Sequence, residues 1–185
     1  AYPSFMIQNQ WQELLEASEK NWASRLQLGV IYAYQGHKDK AKRIWQQSLE
    51  QKETAWAWRN LAALERLEQR LDIATNYYQK AHKLKSDSIP LMIEYAETLL
   101  MAGKNKDLLD VMESLPAMMR QHGRIRFLEA QAALAESRLD IVQRFFDDEV
   151  EIADLREGAT LLTDLWYGFQ AQKLSQSEKI PLNDA

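Results

Sequence analysis

The chain contains no cysteine, which excludes disulfides, thiolate nucleophiles and cysteine-ligated zinc. That absence does not fix a compartment; the cytoplasm is the favoured expectation. Six glycines and four prolines in 185 residues are few. β-rich folds use more of both in their turns, so long helices joined by short loops are expected. No apolar run approaches the roughly 20 residues of a membrane span. The three histidines, His37, His82 and His122, are isolated, with no i, i+4 partner and no Glu-flanked zinc pattern. Asp147-Asp148-Glu149-Val150-Glu151 lacks the alternate-ligand spacing and mid-loop glycine of a calcium loop. No serine elbow, phosphate-binding glycine loop or spaced carboxylate pair is present either. The expectation is a chain that is not an enzyme and holds no metal or cofactor. The first residue is Ala1, and Ala1-Tyr2-Pro3-Ser4 has no signal-peptide pattern, so a processed or excised fragment is expected.

What is present suits a folded, soluble chain: 46% hydrophobic and 27% charged residues, enough to bury a core without staples. The net charge of −4 gives no global electrostatic case for nucleic acid. The charge is unevenly placed. Residues 1–90 hold 13 basic and 10 acidic residues, a net +3, while residues 91–185 hold 10 and 17, a net −7. Solvated helix faces explain such an imbalance; a docking surface for a basic partner is the alternative.

Self-similarity organises the rest. Gly29, Ala62, Ala96 and Ala130 are small residues separated by 33, 34 and 34 positions. Trp11, Trp45, Tyr78, Met112 and Phe146 form a column of large residues at steps of 34, 33, 34 and 34. Ile7, Ala41, Ala74, Leu108 and Val142 keep the same period. Two antiparallel helices of about 12–14 residues with two short turns need about 34 residues. The small residue lets the partner helix approach, and the aromatic fills the space beside it. One such pair cannot bury its apolar faces, so neighbouring pairs must stack.

The expected architecture is all-α: a helix over 4–19, helix pairs over about 22–54, 55–88, 89–122 and 123–153, a capping helix over 154–174 and a loose tail over 176–185, making one domain of residues 1–175. Ser4, Asn21, Asp39 and Thr54 are cap candidates, and Gly36 and Gly103 stand just beyond helix ends. Asp154 or Glu157 is expected to open the last helix. An extra turn is expected over 117–121, after Pro116.

The columns resemble the tetratricopeptide repeat. The first repeat supplies Leu28, Gly29, Tyr32, Gly36, Ala41 and Trp45, and the second Trp58, Leu61, Ala62, Ala74, Tyr78 and Ala81. The third is weaker, with Met92, Tyr95, Ala96, Leu99, Gly103, Leu108 and Met112; the fourth keeps Ala130, Ala133, Val142 and Phe146. Arg25 stands in a position of a large residue, and Glu53 and Ser86 stand where the closing proline belongs. A second resemblance covers about residues 91–174. Gly123 to Ala130, Asp154 to Gly158 and Leu162 to Trp166 look like the helical C-terminal part of large bacterial proteins with an N-terminal β-rich domain.

The tetratricopeptide resemblance implies a right-handed superhelix in which the first helices line a concave, ligand-binding face. That face would show Val30, Tyr34, Trp56, Arg59, Ala63, Arg66, Ile93, Glu97, Met101, Phe127 and Gln131. Aromatics and Met would supply contact area, and Arg charge-assisted bonds. The family's clamp for a peptide C-terminal carboxylate would fall on Leu26, Val30, Asn60, Pro90 and Glu94, where only Asn60 matches, so that binding is not expected. The expected role is a scaffold for a protein, or for another domain of the same polypeptide. Neither nucleic acid nor membrane is an expected partner. An accessory domain of a carbohydrate-active protein is the rival, with Trp22, Trp56 and Trp166 as exposed candidates and Trp11, Trp45 and Trp58 as core. Self-association through an open solenoid end is a third reading.

Overall fold

A computed structural model describes residues 9–18, 21–152 and 160–178. Ser4, Met6, Ile7, Asp154, Glu157 and Pro181 lie outside the described residues. Every regular element among those described is helical, and the chain divides into two compact units, Ala1–Leu91 and Met92–Ala185.

The first unit holds α1 (Asn9–Ala17), α2 (Trp22–Tyr34), α3 (Lys38–Gln51), α4 (Ala55–Leu67) and α5 (Leu71–Leu84). Asn21 caps α2, accepting from the backbone N–H groups of Ala23 and Ser24 at 3.0 and 2.9 Å. Thr54 caps α4 through Ala57 N–H at 3.3 Å. Such caps are each worth about 1 kcal/mol. Asp39 is not a cap: α3 starts at Lys38, so Asp39 sits inside the first turn, where its charge still favours the helix N-terminus.

The helix pairs close as the columns require. A Cβ on Gly29 would fall inside the indole of Trp45, so only glycine admits that ring. Trp45 Nε1 donates to Leu26 O at 3.1 Å, and Ser48 Oγ to Trp22 O at 2.7 Å, tying α3 to α2. In the next pair Tyr78, Ala62, Ala74 and Ala81 are all fully buried. Around them Leu26, Leu28, Tyr32, Ala57, Leu61 and Leu64 complete one apolar core.

One buried charge interrupts it. Glu65 occupies the column of Tyr32 and is buried, paired with Lys42 Nζ at 2.6 Å and with the Arg70 guanidinium. Burial pushes its carboxyl up, but Arg70 and Lys42 outweigh burial and hold it below the ordinary glutamate range. The carboxylate joins α4 to α3 and to the turn before α5.

The second unit takes most of α6 (Ile89–Met101), then α7 (Asn105–Ser114), α8 (Ala117–Arg120), α9 (Gly123–Ala135), α10 (Leu139–Asp147) and α11 (Leu161–Glu178). α8 is the extra turn expected after Pro116. α10 ends at Asp147, six residues before the end expected for the fourth pair at 153. α11 runs to Glu178, so residues 176–178 are helix and not tail. An aromatic chain holds α9, α10 and α11 together: Phe127–Phe145 at 5.9 Å, Phe145–Phe146 at 5.2 Å, Phe146–Trp166 at 4.9 Å and Phe146–Phe169 at 5.9 Å between ring centres. Phe145–Phe146 and Phe146–Trp166 are edge-on, and pairs of that kind add roughly 0.5–1.5 kcal/mol each beyond their burial.

The turns between paired helices share one conformation. Gly36, Gln69, Gly103 and Ser137 have φ of +83°, +59°, +67° and +56°. They recur at steps of 33, 34 and 34, so the left-handed turn keeps the repeat period even where the residue is not glycine.

Candidate functional site

In the first unit the candidate positions fall on the outer sides of α2 and α4. Val30 and Tyr34 are one helical turn apart on α2, both exposed, Tyr34 by 69%. On α4, Trp56 is 46% exposed and Arg59, Ala63 and Arg66 are half-buried. At about 100° per residue these four fall within one arc of the helix, and Leu67 falls there too. Leu67 is 72% exposed, more than any other residue of this set. It stands one repeat after Tyr34, a relation that the column spacing offered and that only the exposure singles out. Leu26, by contrast, is core, and Asn60 accepts from the Arg59 guanidinium at 3.3 Å.

In the second unit α6 carries half-buried Ile93 and Glu97 and exposed Met101. Glu97 is paired with Arg124 of α9 at 3.0 Å. Phe127 is a correction. It is fully buried against Phe145, with the Arg124 guanidinium 5.7 Å over its ring. The aromatic chain to α10 and α11 claims it, so it offers no surface. Gln131 is half-buried and lines a shallow cleft with Leu134, Leu161, Asp164 and Leu165, because α11 lies along that side of α9. The fourth repeat's share of the expected face is thus largely covered by the last helix.

The tryptophans divide differently from expectation. Trp45 is core and Trp58 is half-buried between Tyr77, at 5.2 Å, and Lys80, at 4.3 Å. Trp11 is 38% exposed rather than core, since α1 packs on α2 with one side only. Trp22 is half-buried under Lys52 at 4.4 Å. Trp56 and Trp166 are exposed, one in each unit.

Three of the described titratable groups bear on the sites weighed from the sequence. His37 and His122 sit at the starts of α3 and α9, as their turn positions imply. His82 is half-buried, and burial lowers its basicity. Tyr32 donates to Glu16 Oε1 at 2.6 Å under Lys40, 3.8 Å from its ring; burial raises its phenol and Glu16 raises it further. Among the described residues no three His, Asp or Glu side chains group as a metal site, and no helix is long and apolar enough to cross a membrane.

Comparisons with known proteins agree on the fold. Two solved structures are similar to this chain. MamA of AMB-1 matches with a TM-score of 0.60 at 17% identity, over 75% of this chain and 85% of that one. A second MamA structure matches with a TM-score of 0.59 at 13% identity, over 95% of this chain and 86% of the other. No family model matches, and no curated protein does. With the repeat columns and the paired helices, the likeness shows an all-α, tetratricopeptide-like helical-repeat fold.

Proposed function

We propose that the chain is a non-catalytic docking scaffold that holds a protein, or another domain of its own polypeptide, on the outer sides of its first helices. The observation that carries this reading is the pair Tyr34 and Leu67. Two large apolar side chains one repeat apart stand 69% and 72% exposed, in helices whose opposite sides are fully packed. Trp56, Arg59 and Arg66 lie on the same arc of α4 as Leu67. Exposed aromatic and aliphatic anchors beside arginines are the composition of binding hot spots. An amphipathic helix or a folded neighbour with some acidic residues suits that composition.

The test is affinity capture from the source cell with the wild-type chain and Y34A/L67A. Both positions are exposed, so thermal unfolding should shift little. The expected result is a specific band retained by wild type and reduced by about tenfold or more in the variant, as loss of two anchors implies. Equal recovery on both chains would count against the face.

A second occupant has an observation of its own. Leu162, Trp166 and Tyr167 are exposed on α11, which suits contact with another copy. Light scattering at two concentrations, with W166S/Y167S as the comparison, reads it directly. The carbohydrate reading gains nothing: Trp166 rests against Phe146, and Trp56 belongs to the docking face.

A further inference from the structure

The second unit contains a cleft of about 380 Å³ that the docking face does not use. Arg120 of α8, Arg126 and Glu129 of α9, and Ile141, Arg144 and Phe145 of α10 line it. Glu129 and Arg126 stand about 160° and about 140° around α9 from Gln131, counting about 100° per residue. The cleft therefore lies on the other side of that helix. Its floor is apolar, from buried Phe145 and half-buried Ile141.

The charges around it are incompletely matched. Arg126 is held by Asp148 at 2.6 Å. Arg144 donates Nε to the Asp140 carbonyl at 3.4 Å and keeps one long ion contact, 3.9 Å to the exposed Asp140 carboxylate, and Arg120 is exposed. Three guanidinium groups thus face Glu129 and Asp148, within a half of the chain whose net charge is −7. Glu129 sits among the three arginines, yet its carboxyl is held above the ordinary glutamate range. Burial raises its carboxyl; Arg144 of α10, Arg126 and Arg120 pull it down, and Glu113 of α7 pushes it up again.

We propose that this cleft binds a short acidic peptide segment, its carboxylates on Arg120 and Arg144 and an apolar side chain on Phe145 and Ile141. Arginine's planar fork suits carboxylates, and the apolar floor rewards a ligand that carries a side chain beside its charge. A long polyanion such as nucleic acid would meet the negative field of the surrounding unit, which a short segment largely avoids. An arriving carboxylate disfavours ionised Glu129, so binding takes up a proton there and tightens as pH falls.

The test uses the full chain and a fluorescein-labelled peptide alternating glutamate and leucine, read by anisotropy at low salt. Its glutamine counterpart is the control. The wild type should bind the acidic peptide, more tightly at about pH 5 than at about pH 7.5. R120Q/R144Q, both exposed positions, should weaken binding by about tenfold or more. E129Q should bind more tightly at the higher pH and lose the pH dependence. Y34A/L67A should bind as wild type does, which separates this cleft from the docking face. No binding by the wild type, or equal binding by R120Q/R144Q, would overturn the proposal. An unchanged pH profile in E129Q would overturn the part given to Glu129. Inorganic phosphate that displaces the peptide at equal concentration would reveal a bare oxyanion site and overturn the peptide assignment.

Discussion

Gln69 and Ser137 adopt the left-handed conformation that glycine takes at Gly36 and Gly103. A residue with a Cβ meets steric cost there, whereas glycine does not. Q69G and S137G should therefore each stabilise the chain, by up to about 1 kcal/mol in chemical denaturation, while G36A should cost about as much. A stability loss in Q69G would refute the turn's part in the repeat. Glu65 makes the opposite case, a charge retained inside the core. Its folded pKa is lowered, so its contribution is present above the ordinary glutamate value and is lost as pH falls through the lower folded value. E65Q should cost about 1–3 kcal/mol near neutral pH, since two cations lose their counter-charge. The deficit should shrink on acidification, and urea titrations at several pH values would show it. Glu65 stands one repeat after Tyr32 and before Leu99, an acid between two core positions, but its partners Lys42 and Arg70 come from outside its own helix. No local pattern joins them.

At the scale of elements, the paired helices were legible because small and large residues alternate at a fixed period. Gly29 meets Trp45 as that spacing requires, and Ala62 and Tyr78 are both fully buried. The positions that spacing misplaced, Trp11 and Phe127, sit in the helix before the first repeat and in the last repeat. Phe127 matched the binding face by register, yet α11 and α10 draw it into an aromatic core. α11 itself has apolar residues around much of its circumference, so its sequence does not say which side is buried. Contact with α9 and α10 selects Leu165 and Phe169. F169A should therefore cost about 3–5 kcal/mol, the usual range for emptying a buried phenylalanine site. Calorimetry would check this. A cost below about 1 kcal/mol would mean that α11 is not integral to the second unit.

For the whole molecule, the fold class followed from periodicity, and two solved structures share it at 13–17% identity. Function is less legible, because residues that pack a helix pair and residues proposed to meet a partner interleave along the same helices. Exposure separates them: Tyr32 is core, while Tyr34, two positions on, stands in solvent. Leu67 escaped the template because leucine on a helix reads as core until its surroundings are known. The central claim is that this exposed row is where a partner sits. Site-specific photo-crosslinking tests it most directly, with the reactive residue placed in turn at Tyr34, at Leu67 and at exposed Lys83 on α5. The account predicts one discrete crosslinked product shared by Tyr34 and Leu67 and absent from Lys83. The same pattern at all three positions, or a product from Lys83 alone, would contradict it.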